Sequence, residues 1–349
     1  VKTATVTDDV ADTAYADIVD RDSNAMIYQS PRYLAFLKAI LPGARLTLIA
    51  VPGQAAMPVF VLANGFGTVV NALPYYGSHG DLLCTPEADD AARAAVFAAF
   101  ADLCRDASAD AVNIVGHPLR PVVEAGLPLA LSRWDEREGQ ISALTPAKTR
   151  EDALEATLAA CNGKTRNLVR KGLSQGFAIG VSEADEDWQG LAHHHRLGIE
   201  ALGGRAKPET DFIAIRQTFG DHARLYVARS EDAFAGAVLV LRHRDWAEYF
   251  TPVSVPEFRS AQVVPALIAA AISDARMEGA RHWNWGGTWG SQDGVRHFKE
   301  GWGAQSHLYG YFGALRTSRL ARVTPEELAA QFPRFYVRPY SNQPDRRRS

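Results

Sequence analysis

Four segments carry residue types that could do chemistry. In KTRNLVRKGLSQGF (164–177), Arg166 and Arg170 lie four apart and share one face of a helix, while Lys164 and Lys171 share another. A guanidinium fork suits phosphate or carboxylate because two N–H donors meet two oxygens; a solvated basic face gives the same pattern. In WNWGGTWGSQDGVRHFKEGWGAQ (283–305), a strand is expected to end at Trp285 and enter a turn at Gly286 and Gly287. A short helix, roughly 292–300, then carries Arg296, Phe298 and Lys299. Glycines let a backbone approach a ligand closely, free amides there can bind anionic oxygen, and Lys299 adds a point charge. The competing reading is a tight strand–helix connection packed by Trp283, Trp285, Trp289 and Trp302.

The third segment, NALPYYGSHGDLLC (71–84), offers Tyr75, Tyr76, Ser78 and His79 as a polar, aromatic ligand wall or as an ordinary irregular connection. The fourth is HHHR (193–196). Consecutive helical side chains point about 100° apart, so these histidines cannot converge on one metal, and no metal is expected. Arg196 is the residue of interest there. The chain has no H-E-x-x-H and no Walker A lysine.

The elements that must position these residues follow an order used twice. In the first half, Ser30 and Pro31 open a helix over 30–40, followed by strands at 45–51, 56–63 and 67–73. Pro52-Gly53 and Asn64-Gly65 make the turns. An Ala-rich helix, about 87–107, and a strand at 111–115 complete the set. The second half repeats it: a helix at 208–219, strands at 223–229, 234–243 and 246–252, a long helix at about 260–278, and a strand at 281–285. The meanders suit antiparallel pairing, and each long helix suits a crossover to a parallel strand. Between the halves lie two strands, 129–136 and 139–145, and a helical stretch from Thr149 to about 176. A strand at 177–182 and a helix at 184–202 follow. Thr324 and Glu327 form a capping box for a helix over 324–332, and the final residues read as disordered.

Composition bounds the class. The 349 residues are 47% hydrophobic and 22% charged, enough for two domains with large cores. Three widely spaced cysteines, Cys84, Cys104 and Cys161, suggest neither a disulfide framework nor zinc, and fit a reducing compartment. The N-terminal segment does not read as a signal peptide, and VVPALIAAAI is too short to span a bilayer. The expected location is cytoplasmic. A net charge of −3 argues against a broad nucleic-acid surface, and the basic tail DRRRS reads as solvated.

Three segments resemble the Fem-like branch of the GNAT superfamily, which includes peptidoglycan-bridge aminoacyltransferases and BioF2-like acetyltransferase domains. They are SPRYLAFLKAI with LPYYGSHG; KTRNLVRKGLSQGFAIGV, similar to the family's R-x-x-[IV]-R-[KR] helix; and RHWNWGGTWGSQDGVRHFKEGWGAQSHLYGYF, similar to its strand, glycine turn and F-K-x-x-[FW]-G. The resemblance implies an α/β (α+β) fold of two tandem GNAT-like domains, each a mixed sheet flanked by helices. The first, 1–146, would be a non-catalytic acceptor wall; the second, 147–316, would be catalytic; 317–349 would be an extension, partly helical and then disordered. It implies a site on the second domain, facing the first. There Lys299 stabilises the reacting centre beside Phe298, and Tyr249 faces the acyl site. Arg196, with Arg166 and Arg170, meets acceptor phosphates, and Tyr76 lines the acceptor side. Trp285, Gly286 and Gly287 complete the expected substrate-binding set.

The implied activity is amide formation on an amine, with aminoacyl-tRNA or acyl-CoA as donor, an amine on a small molecule or peptide as acceptor, and no metal. One departure bears on the donor. GNAT proteins that use acyl-CoA carry Q/R-x-x-G-x-G/A at the start of the long helix, whereas PEFRSAQVVPAL (256–267) offers Arg259 without the glycines. This shifts weight towards aminoacyl-tRNA. Acyl-CoA-dependent N-acetylation of a small amine or amino sugar is one rival, and a non-catalytic ligand-binding module of the same fold is another. Amide formation needs a neutral amine, placement and oxyanion stabilisation. Backbone amides near Tyr249 and the charge of Lys299 are expected to give the last. Glu248 and Tyr249 alternate along one strand, so only one of them can line the cleft. Proton removal is then left to water or the acceptor.

Overall fold

The computed structural model describes residues 2–75, 77–120 and 128–338. Tyr76 and the terminal residues from 339 onward lie outside the described residues. The chain divides into two compact units, one formed by 1–138, 289–291 and 307–349, the other by 139–288 and 292–306. The final strand and tail therefore group with the first unit.

The first unit opens with β1 (Thr5–Thr7), α1 (Thr13–Arg21) and α2 (Pro31–Ile40). The side chain of Ser30 accepts from the Tyr33 amide, and Pro31 fills the first turn of α2, where its missing N–H costs nothing. The meander β2 (Arg45–Val51), β3 (Ala55–Asn64) and β4 (Gly67–Ala72) follows, then β5 (Leu83–Cys84), α3 (Asp90–Asp106) and β6 (Ala111–Val115). β4 pairs with β6 in parallel across the α3 crossover. The core joins Met57, Val59, Val70 and Ile114 to Val96 and Phe100 of α3.

β7 runs Ser132–Ala143 as one strand of 12 residues, where two strands are expected from sequence. Its charges, Arg133 with Glu136 and Asp135 with Arg137, pair along the strand itself and do not interrupt it. The expected single helix after Thr149 is two, α4 (Arg150–Ala160) and α5 (Gly163–Leu173). Asn162 breaks them, because its side chain caps α5 by accepting from the Thr165 amide.

The second unit continues with β8 (Ala178–Val181), α6 (Asp185–Glu200), α7 (Glu209–Phe219), β9 (Ala223–Ser230), β10 (Ala233–His243) and β11 (Trp246–Ser254). Then come α8 (Val263–Met277), β12 (His282–Trp289) and α9 (Asp293–Glu300). β13 (Gln305–Leu315) ends antiparallel to β6 in the first unit, and α10 (Pro325–Gln331) starts at the Thr324–Glu327 capping box. The strand order in the second unit is β7-β12-β11-β10-β9-β8. The core sets Val263, Leu267, Ala271 and Ala275 of α8 against Val238, Val240 and Trp283 of the sheet. Among the described residues no helix is long and apolar enough to cross a membrane.

Candidate active site

The second unit has an opening in its sheet. β11 and β12 pair in parallel over three rungs, Trp246 with His282, Ala247 with Trp283, and Glu248 with Asn284. Both strands continue past the last rung. β11 also carries a bulge against β10: Leu239 faces Thr251 and Val240 faces Tyr249, leaving Phe250 as the extra residue. A bulge bends and twists its strand, which suits the parting from β12.

Glu248 sits at the last rung and is 4% exposed. The Asn284 amide Nδ2 donates to Glu248 Oε2 at 2.6 Å, and Asn284 Oδ1 accepts from the Gly286 N–H at 3.0 Å. Gly286 takes a left-handed backbone, φ 73°. The strand does not end at Trp285, as the sequence suggests, but continues through Gly286 and Gly287 to Trp289. Nor is the Gly286 amide free for an anion, because Asn284 occupies it. The carbonyls of this stretch are used instead. Lys299 Nζ, reaching in from α9, donates to Gly286 O at 3.1 Å, Gly287 O at 3.4 Å and Thr288 Oγ1 at 2.8 Å. Thr288 Oγ1 in turn donates to Gln140 Oε1 at 2.8 Å.

All three Lys299 protons thus have acceptors. Its charge is a fixed field and a lock on the glycine backbone, not a loose donor. Burial pushes the ammonium down to about 8, against the pull of Glu248, which favours the charged form. Tyr249 faces the other way. Its ring lies 5.1 Å from Trp285 and 6.3 Å from Trp283, and burial raises its hydroxyl above the ordinary range. Phe298 is 6.0 Å from Trp285 and closes this aromatic group with Trp302. Trp285 is held by Nε1 donating to Ser142 Oγ at 2.9 Å.

The structure thus brings Lys299, Gly286, Gly287, Trp285, Phe298 and Tyr249 to one end of the β11–β12 ladder, with Glu248 and Asn284 between them. The arginines separate. Arg166 donates from Nε to Leu158 O at 2.9 Å and from Nη2 to Cys161 O at 2.8 Å, so it caps the end of α4 and is not set to meet phosphate. Arg170 is exposed on α5. Arg196 lines a cavity over α6 and the loop that follows, and pairs with Glu200 at 3.3 Å. The histidines beside it have other work: His194 stacks on Phe234, and His195 Nε2 accepts from the Lys207 amide at 3.1 Å. Among the described residues no group of three metal-ligating side chains is assembled.

The described part of the 71–84 loop is an interior segment and not an exposed ligand wall. Tyr75, Ser78 and His79 are buried. Ser78 Oγ shares a hydrogen bond of 2.7 Å with Tyr33, and His79 Nδ1 lies 2.8 Å from Gly116 O.

Sequence reasoning passed over Asn284, Thr288, Gln140 and Lys207. Asn284 could have been found from the strand RHWNW, where a lone amide sits among tryptophans. Nothing in the spacing marks Lys207.

At the start of α8, Gln262 stands where the GNAT turn places its first glycine. It takes the left-handed backbone that glycine serves, φ 61°. A Cβ on Gly172 of α5 would lie 2.4 Å from Gln262 O, so that helix rests directly on the turn.

Residues 159–300 match the acetyltransferase (GNAT) domain family. No curated protein sequence matches the chain. Among solved structures, FemX is similar at a TM-score of 0.69 and 14% identity, covering 93% of this chain and 99% of that one. The C-terminal domain of a putative lysylphosphatidylglycerol synthetase from Agrobacterium fabrum is similar at 0.54 and 15% identity, covering 90% and 97%. A tandem GNAT protein from the clavulanic acid biosynthesis pathway is similar at 0.54 and 12%, covering 89% and 98%. The second half thus carries a match to the acetyltransferase (GNAT) domain, and the fold of nearly the whole chain is similar to that of FemX.

Proposed function

We propose that the second unit transfers an acyl or aminoacyl group to an amine, forming an amide where β11 and β12 part. The observation that carries this reading is the three-rung ladder ending at Glu248, with Lys299 locked beside it. A carbonyl placed past the last rung meets backbone N–H groups of β11 and the field of Lys299, the requirements of an oxyanion site. The amine attacks that carbonyl; the C–N bond forms as the bond to the donor's sulfur or oxygen breaks. The amine's proton passes to Glu248 and leaves with the thiol or hydroxyl. Tyr249, Trp285 and Phe298 line the acyl side.

Aminoacyl-tRNA is the favoured donor, because Gln262 and Val264 replace the glycines that admit a pyrophosphate, and α5 rests on that turn. Acyl-CoA is the second reading, supported by the left-handed backbone kept at Gln262. The test is a donor screen of acyl-CoAs and charged tRNAs against an amine panel, scored by product mass. Amide product with one donor class, lost in Glu248→Gln, is the expected result. Binding without product for every donor would instead mark a non-catalytic module.

A further inference from the structure

A second cation reaches the same strand from the other side of the bulge. Lys207 ends the loop between α6 and α7 and is half-buried. Its Nζ lies 3.4 Å from Thr251 Oγ1 and 4.9 Å from the centre of the Phe250 ring. Its own amide is pinned to His195 Nε2. Burial lowers its ammonium to about 8, and Asp211, in the first turn of α7, opposes that shift.

The bulge decides what this lysine can serve. Residues three apart on a regular strand point to opposite faces. Glu248 pairs with Leu241 and Thr251 pairs with Leu239, and those two partners, two apart, share a face. The extra residue Phe250 therefore returns Thr251 to the face that carries Glu248. At about 3.3 Å per residue, Thr251, which Lys207 Nζ reaches, stands roughly 10 Å or less from Glu248 along that face. Lys207 also lines the cavity that contains Arg196, Arg205, Glu200 and Glu209, with a volume of about 680 Å³. That is enough for a small ligand, and its lining mixes both signs of charge.

We infer that Lys207 and Thr251 form a subsite for the carboxylate of the acceptor, and that the acceptor is a small amino acid whose amine reaches Glu248. This rests on the acyl-transfer reading above and narrows it. A charged amine beside a hydroxyl suits one oxyanion, and the short span to Glu248 suits an amine and an acid carried by one small molecule. The acidic residues of the cavity disfavour a ligand of several negative charges.

The test uses the purified full chain without donor, so it does not depend on turnover. Calorimetric titration compares free amino acids with their carboxamides, and inorganic phosphate serves as the alternative oxyanion. At least one amino acid should bind with its carboxamide weaker by about tenfold or more. Lys207→Met should erase that preference, Lys207→Arg should restore part of it, and Thr251→Val should reduce it. Melting curves check that each variant folds. Equal affinity of acid and carboxamide, or a preference unchanged in Lys207→Met, would overturn the inference, as would phosphate binding more tightly than every amino acid. If turnover appears with acceptors that lack a carboxylate, the inference fails while acyl transfer stands. If the Lys207-dependent preference holds and no donor reacts, acyl transfer fails while the subsite stands.

Discussion

The first unit contains the same junction as the second, and fills it. β4 pairs with β6 in parallel as β11 pairs with β12, and the rung Asn71–Asn113 stands where Glu248–Asn284 stands. The acid has become an amide. Asn71 Nδ2 donates to Tyr336 O at 2.9 Å, and Asn71 Oδ1 accepts from the Tyr336 N–H at 2.7 Å, so a returning segment occupies it. Past the last rung, the Gly80 N–H donates to Val115 O at 3.0 Å. The chain itself lies at the position that the proposal gives to substrate in the second unit. The β3–β4 ladder also runs without a bulge. One architecture is thus a packed core in one copy and, in the other, an opening that is the proposed site of acyl transfer. The difference comes down to an acid, a bulge and a loop.

The largest effect tests the plug. A Cβ on Gly80 would sit 1.6 Å from Ala72 O, a distance no side chain adjustment relieves. Gly80→Ala should destabilise the protein by about 3 kcal/mol through overpacking, measured by urea denaturation. If stability is unchanged, the loop does not fill that junction and the contrast between the units collapses.

The next tests the opening. Lys299→Met keeps the length of the side chain but removes the charge and its bonds to Gly286, Gly287 and Thr288. Turnover with the productive donor should fall by a factor on the order of 10² to 10³. Full turnover would remove Lys299 from the mechanism.

Much of this was legible in the sequence. The strand at 45–51, the Ser30–Pro31 helix start and the Thr324–Glu327 box stand where local patterns put them, because each depends only on near neighbours. The F-K pair likewise announces Lys299. The rest depends on register. Alternation shows that Glu248 and Tyr249 face opposite ways, but only the pairing with Asn284 tells which one meets Lys299. The bulge at Phe250 leaves no mark in WAEYFTP, so Thr251 and Lys207 could not be joined to Glu248. The burial of Tyr75, Ser78 and His79 was equally hidden, because polar residues bonded inside a protein look in sequence like exposed ones.

pH gives a smaller and reversible effect. Two limbs are expected. As pH rises through about 8, Lys299 loses its proton and the field at the carbonyl weakens, so activity falls. At lower pH the acceptor is an ammonium and cannot attack, so activity falls there too. Glu248→Gln should lower turnover on the order of 10² while leaving the limb near 8. An alkaline limb that persists in Lys299→Met would belong to another group, Lys207 being the other lysine lowered to about 8.

The smallest expected effect on stability is at Gly286, and it sets the two glycines against each other. Gly80 is required for space; Gly286 is required for its backbone. At φ 73° a side chain is strained, yet the nearest atom to an added Cβ is Glu248 Oε1 at 3.9 Å, an ordinary contact. Gly286→Ala should therefore cost only about 1 kcal/mol of stability, the strain of a left-handed residue. The added methyl lies beside Glu248, and any relaxation of φ turns the Gly286 carbonyl away from Lys299. The loss should thus fall on kcat more than on melting temperature, the reverse of Gly80→Ala. If both glycine variants lose stability and activity in the same proportion, the opening in the second unit is as much a structural joint as the filled one in the first.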